Sequence, residues 1–125
     1  MEYVTNCYGE RCTYLKDKLH SFNDLAAIKN ASGTQAWCKY CKYQRENELP
    51  SKVLANGNQY WYKDGKLHRD NDLPARIYTN GDQYWYKDDE LHRDNDKPAI
   101  ILANGHAEWY IDGKKTKECD NYFIR

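Results

Sequence analysis

Branched and aromatic hydrocarbon side chains are scarce: Leu, Ile, Val and Phe together supply 19 of 125 residues. A share this low ordinarily marks a chain that cannot fill a core. Proline and glycine are also few, 3 and 7, which excludes collagen-like and flexible-linker compositions. Neither sign of charge is in excess, since 19 Lys and Arg balance 19 Asp and Glu. No global basic field therefore exists to capture nucleic acid or anionic lipid. The longest apolar run, Ala99 to Ala103, is too short to span a bilayer. The start Met1-Glu2-Tyr3-Val4 shows no charged segment followed by an apolar one, so a reducing, cytoplasmic environment is expected. The cysteine count is odd, five, and a disulfide framework is not expected in such a compartment.

What is there reverses the prediction of disorder. Twelve tyrosines and four tryptophans can bury much apolar area while keeping a polar tip accessible, so an ordered fold with a thin, aromatic core is expected.

Self-similarity organises the chain. Leu67-His68-Arg69-Asp70-Asn71-Asp72-Leu73-Pro74-Ala75 returns 24 positions later as Leu91-His92-Arg93-Asp94-Asn95-Asp96-Lys97-Pro98-Ala99. The same shift superposes Trp37, Trp61, Trp85 and Trp109, and also Asn23, Asn47, Asn71 and Asn95. Towards the N-terminus the pattern erodes, as terminal units of repeat arrays do. Each unit carries two turn signals eight positions apart, such as Asn56-Gly57 with Asp64-Gly65 and Asn80-Gly81 with Asp88-Asp89. Aromatic, strand-favouring segments lie between them, Asn58 to Lys63 and Asp82 to Lys87. An all-β chain of antiparallel hairpins follows.

A two-residue turn at Asn80-Gly81 predicts that Ile77 faces Tyr84 and Ala75 faces Tyr86. Alternation then gathers Ala75, Ile77, Tyr84, Tyr86 and Leu91 on a core face. Arg76, Tyr78, Gln83, Trp85, Lys87 and His92 fall on the other. The recurring loop asparagines are expected to serve turn chemistry.

The segment Asn56-Gly57-Asn58-Gln59-Tyr60-Trp61-Tyr62-Lys63-Asp64-Gly65-Lys66-Leu67-His68 resembles the MORN repeat, and more closely the variant found in bacterial and large-virus proteins. The likeness covers residues 30 to 115 well. His68-Arg69 and His92-Arg93 stand where typical units carry a His-Gly step, and the unit is a residue longer, which makes the chain MORN-like. The resemblance implies an elongated single-layer array of stacked hairpins with a 24-residue repeat. One domain over 1–125 is expected, with degenerate copies at 1–48, regular copies at 49–114 and a cap or tail at 115–125.

The function this implies is non-catalytic: a scaffold or docking surface for a protein partner. Trp37, Trp61, Trp85 and Trp109 would form an anchoring stripe with Arg76, Tyr78, His68 and His92 beside it, since aromatics and Arg are enriched at interface centres. Two other classes compete. One is a small inhibitor or antitoxin that blocks an enzyme. The other is lipid-headgroup or nucleic-acid binding through the repeated Trp, Tyr, Arg and Lys, which the balanced charge disfavours. Self-association through open sheet ends is a further consequence of such an array. No carboxylate pair, Ser/His/Asp set or phosphate-cradling glycine loop is recognisable, so catalysis is not expected.

The one metal-like spacing is Cys7-x4-Cys12 with Cys38-x2-Cys41, a set of four thiols able to close a structural zinc site. The column His20, His68 and His92 offers imidazoles at equivalent positions; packed surface residues are the simpler account of it.

Overall fold

The computed structural model describes residues 2–5, 11–15, 18–19, 21, 26–40 and 42–122, and side chains within 21, 26–40 and 42–122. Among these residues every regular element of more than one residue is a β-strand, which agrees with the all-β expectation. Most strands are two residues long, and the aromatic segments are interrupted at Trp37, Trp61 and Trp85, whereas Trp109 lies within the five-residue strand Ala107–Ile111. No helix among the described residues is long and apolar enough to cross a membrane.

Two compact units divide the chain, 1–66 and 67–125. In the first, strands Glu2–Thr5, Arg11–Leu15, Ile28–Lys29, Gln35–Ala36, Lys52–Val53 and Gln59–Tyr60 follow one another as antiparallel neighbours. In the second, the order is Arg76–Ile77, Gln83–Tyr84, Ile100–Ile101, Ala107–Ile111 and Lys114–Cys119. Small two-stranded ribbons branch off beyond the tryptophans, Cys38–Lys39 with Lys42–Tyr43 and Tyr86–Lys87 with Glu90–Leu91.

The two turn signals behave differently. The second one is a two-residue turn: Asp88 and Asp89 both have positive φ, 50° and 70°, and Tyr86 pairs with Leu91 as expected. Asp112-Gly113 repeats it with φ of 49° and 81°. Left-handed geometry at both central residues is what hairpin turns of this type require.

The first signal closes a longer loop. Gly81 N–H donates to the Tyr78 carbonyl at 2.9 Å, and Tyr78 N–H donates to the Asp82 carbonyl at 3.0 Å. Three residues, Thr79, Asn80 and Gly81, therefore form the loop, with the positive φ on Gly81 alone (101°). The same bonds recur at Leu54 with Gly57 and at Leu102 with Gly105. This corrects the expected register by one residue: Arg76 pairs with Tyr84 and Ile77 with Gln83. Because side chains alternate, a slip of one position re-sorts the faces. Arg76 and Tyr78 join Tyr84 and Tyr86, while Ala75 shares the other side with Trp85.

That other side is the core. Trp37, Trp61, Trp85 and Trp109 are 5–7% exposed, and Ala27, Ala75 and Ala99 are fully enclosed. Each buried indole withdraws about 150–250 Å² from water. At about 25 cal/mol per Å² this contributes roughly 4–6 kcal/mol per ring before entropy is counted.

Candidate functional site

The tryptophans are held by a repeated clamp. Trp61 Nε1 donates to the Glu48 carbonyl at 2.9 Å, Trp85 Nε1 to Asp72 at 3.1 Å and Trp109 Nε1 to Asp96 at 3.1 Å. Each accepting carbonyl belongs to the second of two consecutive left-handed residues, Asn47-Glu48, Asn71-Asp72 and Asn95-Asp96. Asn and Asp tolerate that conformation best among residues with a side chain, which explains the recurring loop asparagine. An arginine closes the clamp. Arg93 stacks 3.9 Å from the Trp85 ring centre and donates to the Pro98 carbonyl, and Arg45 does the same over Trp37 and to Pro50. The expectation of an accessible indole stripe is therefore corrected: all four rings are buried, the ring nitrogens of Trp61, Trp85 and Trp109 are bonded within the protein, and a cation covers one face of Trp37, Trp85 and Trp109, the last of these Lys117.

The histidines line a cleft in the second unit. It encloses about 250 Å³ between His68, Asp70, Asp72, Tyr86, His92 and Arg93. His68 Nδ1 accepts from the Asp88 N–H at 3.2 Å, and its Nε2 donates to Asp70 at 2.8 Å. His92 repeats this with the Asp112 N–H at 3.0 Å and Asp94 at 2.8 Å. Each imidazole ties its own loop to the next turn, so ligation of a metal by either ring would break a bond that holds the fold. Below them Asp72 receives Arg93 Nε at 2.8 Å and Lys97 Nζ at 3.1 Å. The Arg93 hydrogen bond, assisted by Lys97, holds the Asp72 carboxyl down to about 2.

Arg76 and Tyr78 are brought together with two further tyrosines. The Arg76 guanidinium lies 5.1 Å from the Tyr78 ring centre, 5.2 Å from Tyr84 and 5.9 Å from Tyr86. It donates to the Tyr86 hydroxyl at 3.2 Å and to the Tyr78 hydroxyl. All four residues are half-buried, and Tyr86 also lines the histidine cleft. In the first unit Lys52 lies 5.7 Å and 5.9 Å from the Tyr43 and Tyr60 ring centres, a cation among tyrosines again.

One cluster escaped the sequence reading. Glu108 and Glu118 face each other directly across the last hairpin, a pairing of like charges. His106 lies between them, with Nε2 2.9 Å from Glu108 Oε2 and 3.7 Å from Glu118 Oε2, while Nδ1 is 2.8 Å from Asp120 Oδ1. Tyr110 donates its hydroxyl to Glu108 Oε1 at 2.9 Å, and Lys115 contacts Glu118. The hydrogen bonds that the imidazole donates to Asp120 and to Glu108 push His106 up, and the bond from His106 leads the interactions that hold Glu108 below the usual carboxylate range. The available signal was the column itself: Glu108 stands where earlier copies have Tyr60 and Tyr84.

The four-thiol proposal falls mostly outside the described residues, which include neither Cys7, Cys41 nor the side chain of Cys12. Cys38 is described and is buried.

No family model, no curated protein and no solved structure matches the chain.

Proposed function

We propose that the chain is a non-catalytic, MORN-like protein-binding module whose docking surface is the tyrosine and arginine face rather than the tryptophan row. The observation that carries the reading is the cluster of Tyr78, Tyr84 and Tyr86 around Arg76, continuous through Tyr86 with the cleft of His68 and His92. Tyr and Arg are enriched where proteins bind one another, because a rigid ring offers apolar area and a polar rim at little entropic cost. The arginine holds the rings in place before any partner arrives, which lowers the ordering cost of association. The histidines support a binding role over a chemical one, since both nitrogens of each ring serve loop and turn.

Affinity capture from the native host tests this with wild-type protein, with Arg76→Ala combined with Tyr78→Ala, and with Lys63→Ala as a surface control. Loss of a stoichiometric protein partner in the double variant alone supports the reading. Equal recovery of the partner by all three proteins overturns the assignment of this face.

A further inference from the structure

We propose that His106, Glu108 and Glu118 form a binding site for one divalent transition-metal ion of the zinc class. The atoms that would ligate are His106 Nε2, Glu108 Oε2 and Glu118 Oε2, which lie within 4.8 Å of one another. Zinc bonds of 2.0–2.2 Å in tetrahedral geometry separate neighbouring ligands by about 3.3–3.6 Å. The two separations from the imidazole nitrogen, 2.9 Å and 3.7 Å, bracket that range. The two carboxylate oxygens lie within 4.8 Å of each other, and carboxylate rotation would bring them to the same range.

Three features outside the ligating atoms point the same way. The other imidazole nitrogen is held by Asp120, the arrangement that fixes ring orientation and frees Nε2 as the ligand in zinc proteins. Glu108 gives its second oxygen, Oε1, to the Tyr110 hydroxyl, leaving Oε2 directed at the imidazole. The third is the directly opposed Glu108 and Glu118, a pair that costs stability unless a cation stands between them. Lys115 covers part of that need, its Nζ 2.5 Å from Glu118 Oε2 and 3.7 Å from Glu108 Oε1, so the incoming ion must displace it from a ligating oxygen; the lysine side chain is 40% exposed, and an ion pair so exposed contributes little to be lost.

The chemistry of the set selects the ion. An imidazole nitrogen with two carboxylates suits zinc, cobalt and related ions, whereas magnesium and calcium favour oxygen alone. On binding, the ion takes the place of the proton between Nε2 and Glu108 Oε2, and that proton goes to solvent. The fourth position stays open to water.

The test is titration of the full, reduced chain with cobalt(II), read by visible absorption, and with zinc, read by calorimetry. The site predicts one ion per chain with weak ligand-field bands of nitrogen and oxygen ligation, lost by about tenfold or more in affinity in His106→Gln and in Glu118→Gln. Cys38→Ser must leave these bands unchanged, which separates this site from any bound by the cysteines through their intense thiolate bands. Should His106→Gln fail to fold, two-dimensional NMR of the wild type decides: substoichiometric zinc must shift the His106 ring resonances first. Cobalt bound as tightly by folded His106→Gln as by wild type, or a His106 ring unmoved by zinc, overturns the proposal.

Discussion

The hairpin that carries Tyr84 and the hairpin that carries Glu108 stand side by side in residues 67–125, with Arg76 paired to Tyr84 in one and Ile100 paired to Glu108 in the other. The first fills its open face with a guanidinium among three tyrosine rings; the second fills the same column with carboxylates, an imidazole and an ammonium. Beneath both lies an enclosed tryptophan, bonded through its ring nitrogen to the carbonyl of a left-handed loop residue. Stability thus resides on the tryptophan side of the sheet. The opposite side is released from that duty, and its composition can change from aromatic to ionic without altering the turns.

The largest effects are expected where the two hairpins are alike. Trp85→Ala and Trp109→Ala should each lower unfolding free energy by about 3–5 kcal/mol in urea titrations. A much smaller cost in one of them would mean that the clamp is not shared. Next come the turn glycines. At Gly81 the nearest atom to an added Cβ is that of Ala103, at 3.5 Å, so space is adequate and the cost of Gly81→Ala comes from its φ of 101°. About 1–2 kcal/mol is expected, in the same urea experiment.

Smaller effects should separate the hairpins. Arg76→Ala should cost about 1 kcal/mol, largely unchanged between low and high salt, because its half-buried guanidinium acts on ring faces. Lys115→Ala should have a lesser effect that vanishes at high salt, as exposed ion pairs do. Equal salt dependence of the two variants would contradict the contrast. The smallest expected effect is that of Asp72, whose ion pairs are 40% exposed on the carboxylate side. Its folded-state pKa is lowered from 3.8 to about 2, so its stabilisation is complete above the ordinary carboxylate range and is lost as pH falls through about 2. Asp72→Asn should flatten that part of the acid-unfolding curve.

Legibility in the sequence followed the turns. Asp88-Asp89 admits one economical geometry, and the expected pairing of Tyr86 with Leu91 is the one observed. Asn80-Gly81 fits a two-residue loop and a three-residue loop equally well by composition; only Gly81 takes the left-handed conformation, and the resulting slip moves Trp85 from the open face to the core. The loop asparagines were legible as turn residues for the same reason that Asp88 was. The cluster around His106 was not, because Glu118 reaches Glu108 only through the pairing of the last two long strands, whose register changes between Trp109 and Tyr110. A bulge of this kind leaves no mark in an alternation pattern.

The central claim, that a three-residue first turn places tryptophan and tyrosine on opposite sides, is tested most directly by cross-strand nuclear Overhauser contacts in labelled protein. Backbone contacts between Arg76 and Tyr84 and between Ile77 and Gln83 are predicted. Contacts of Ile77 with Tyr84 and of Ala75 with Tyr86 in their place would contradict the register and the division of faces built on it.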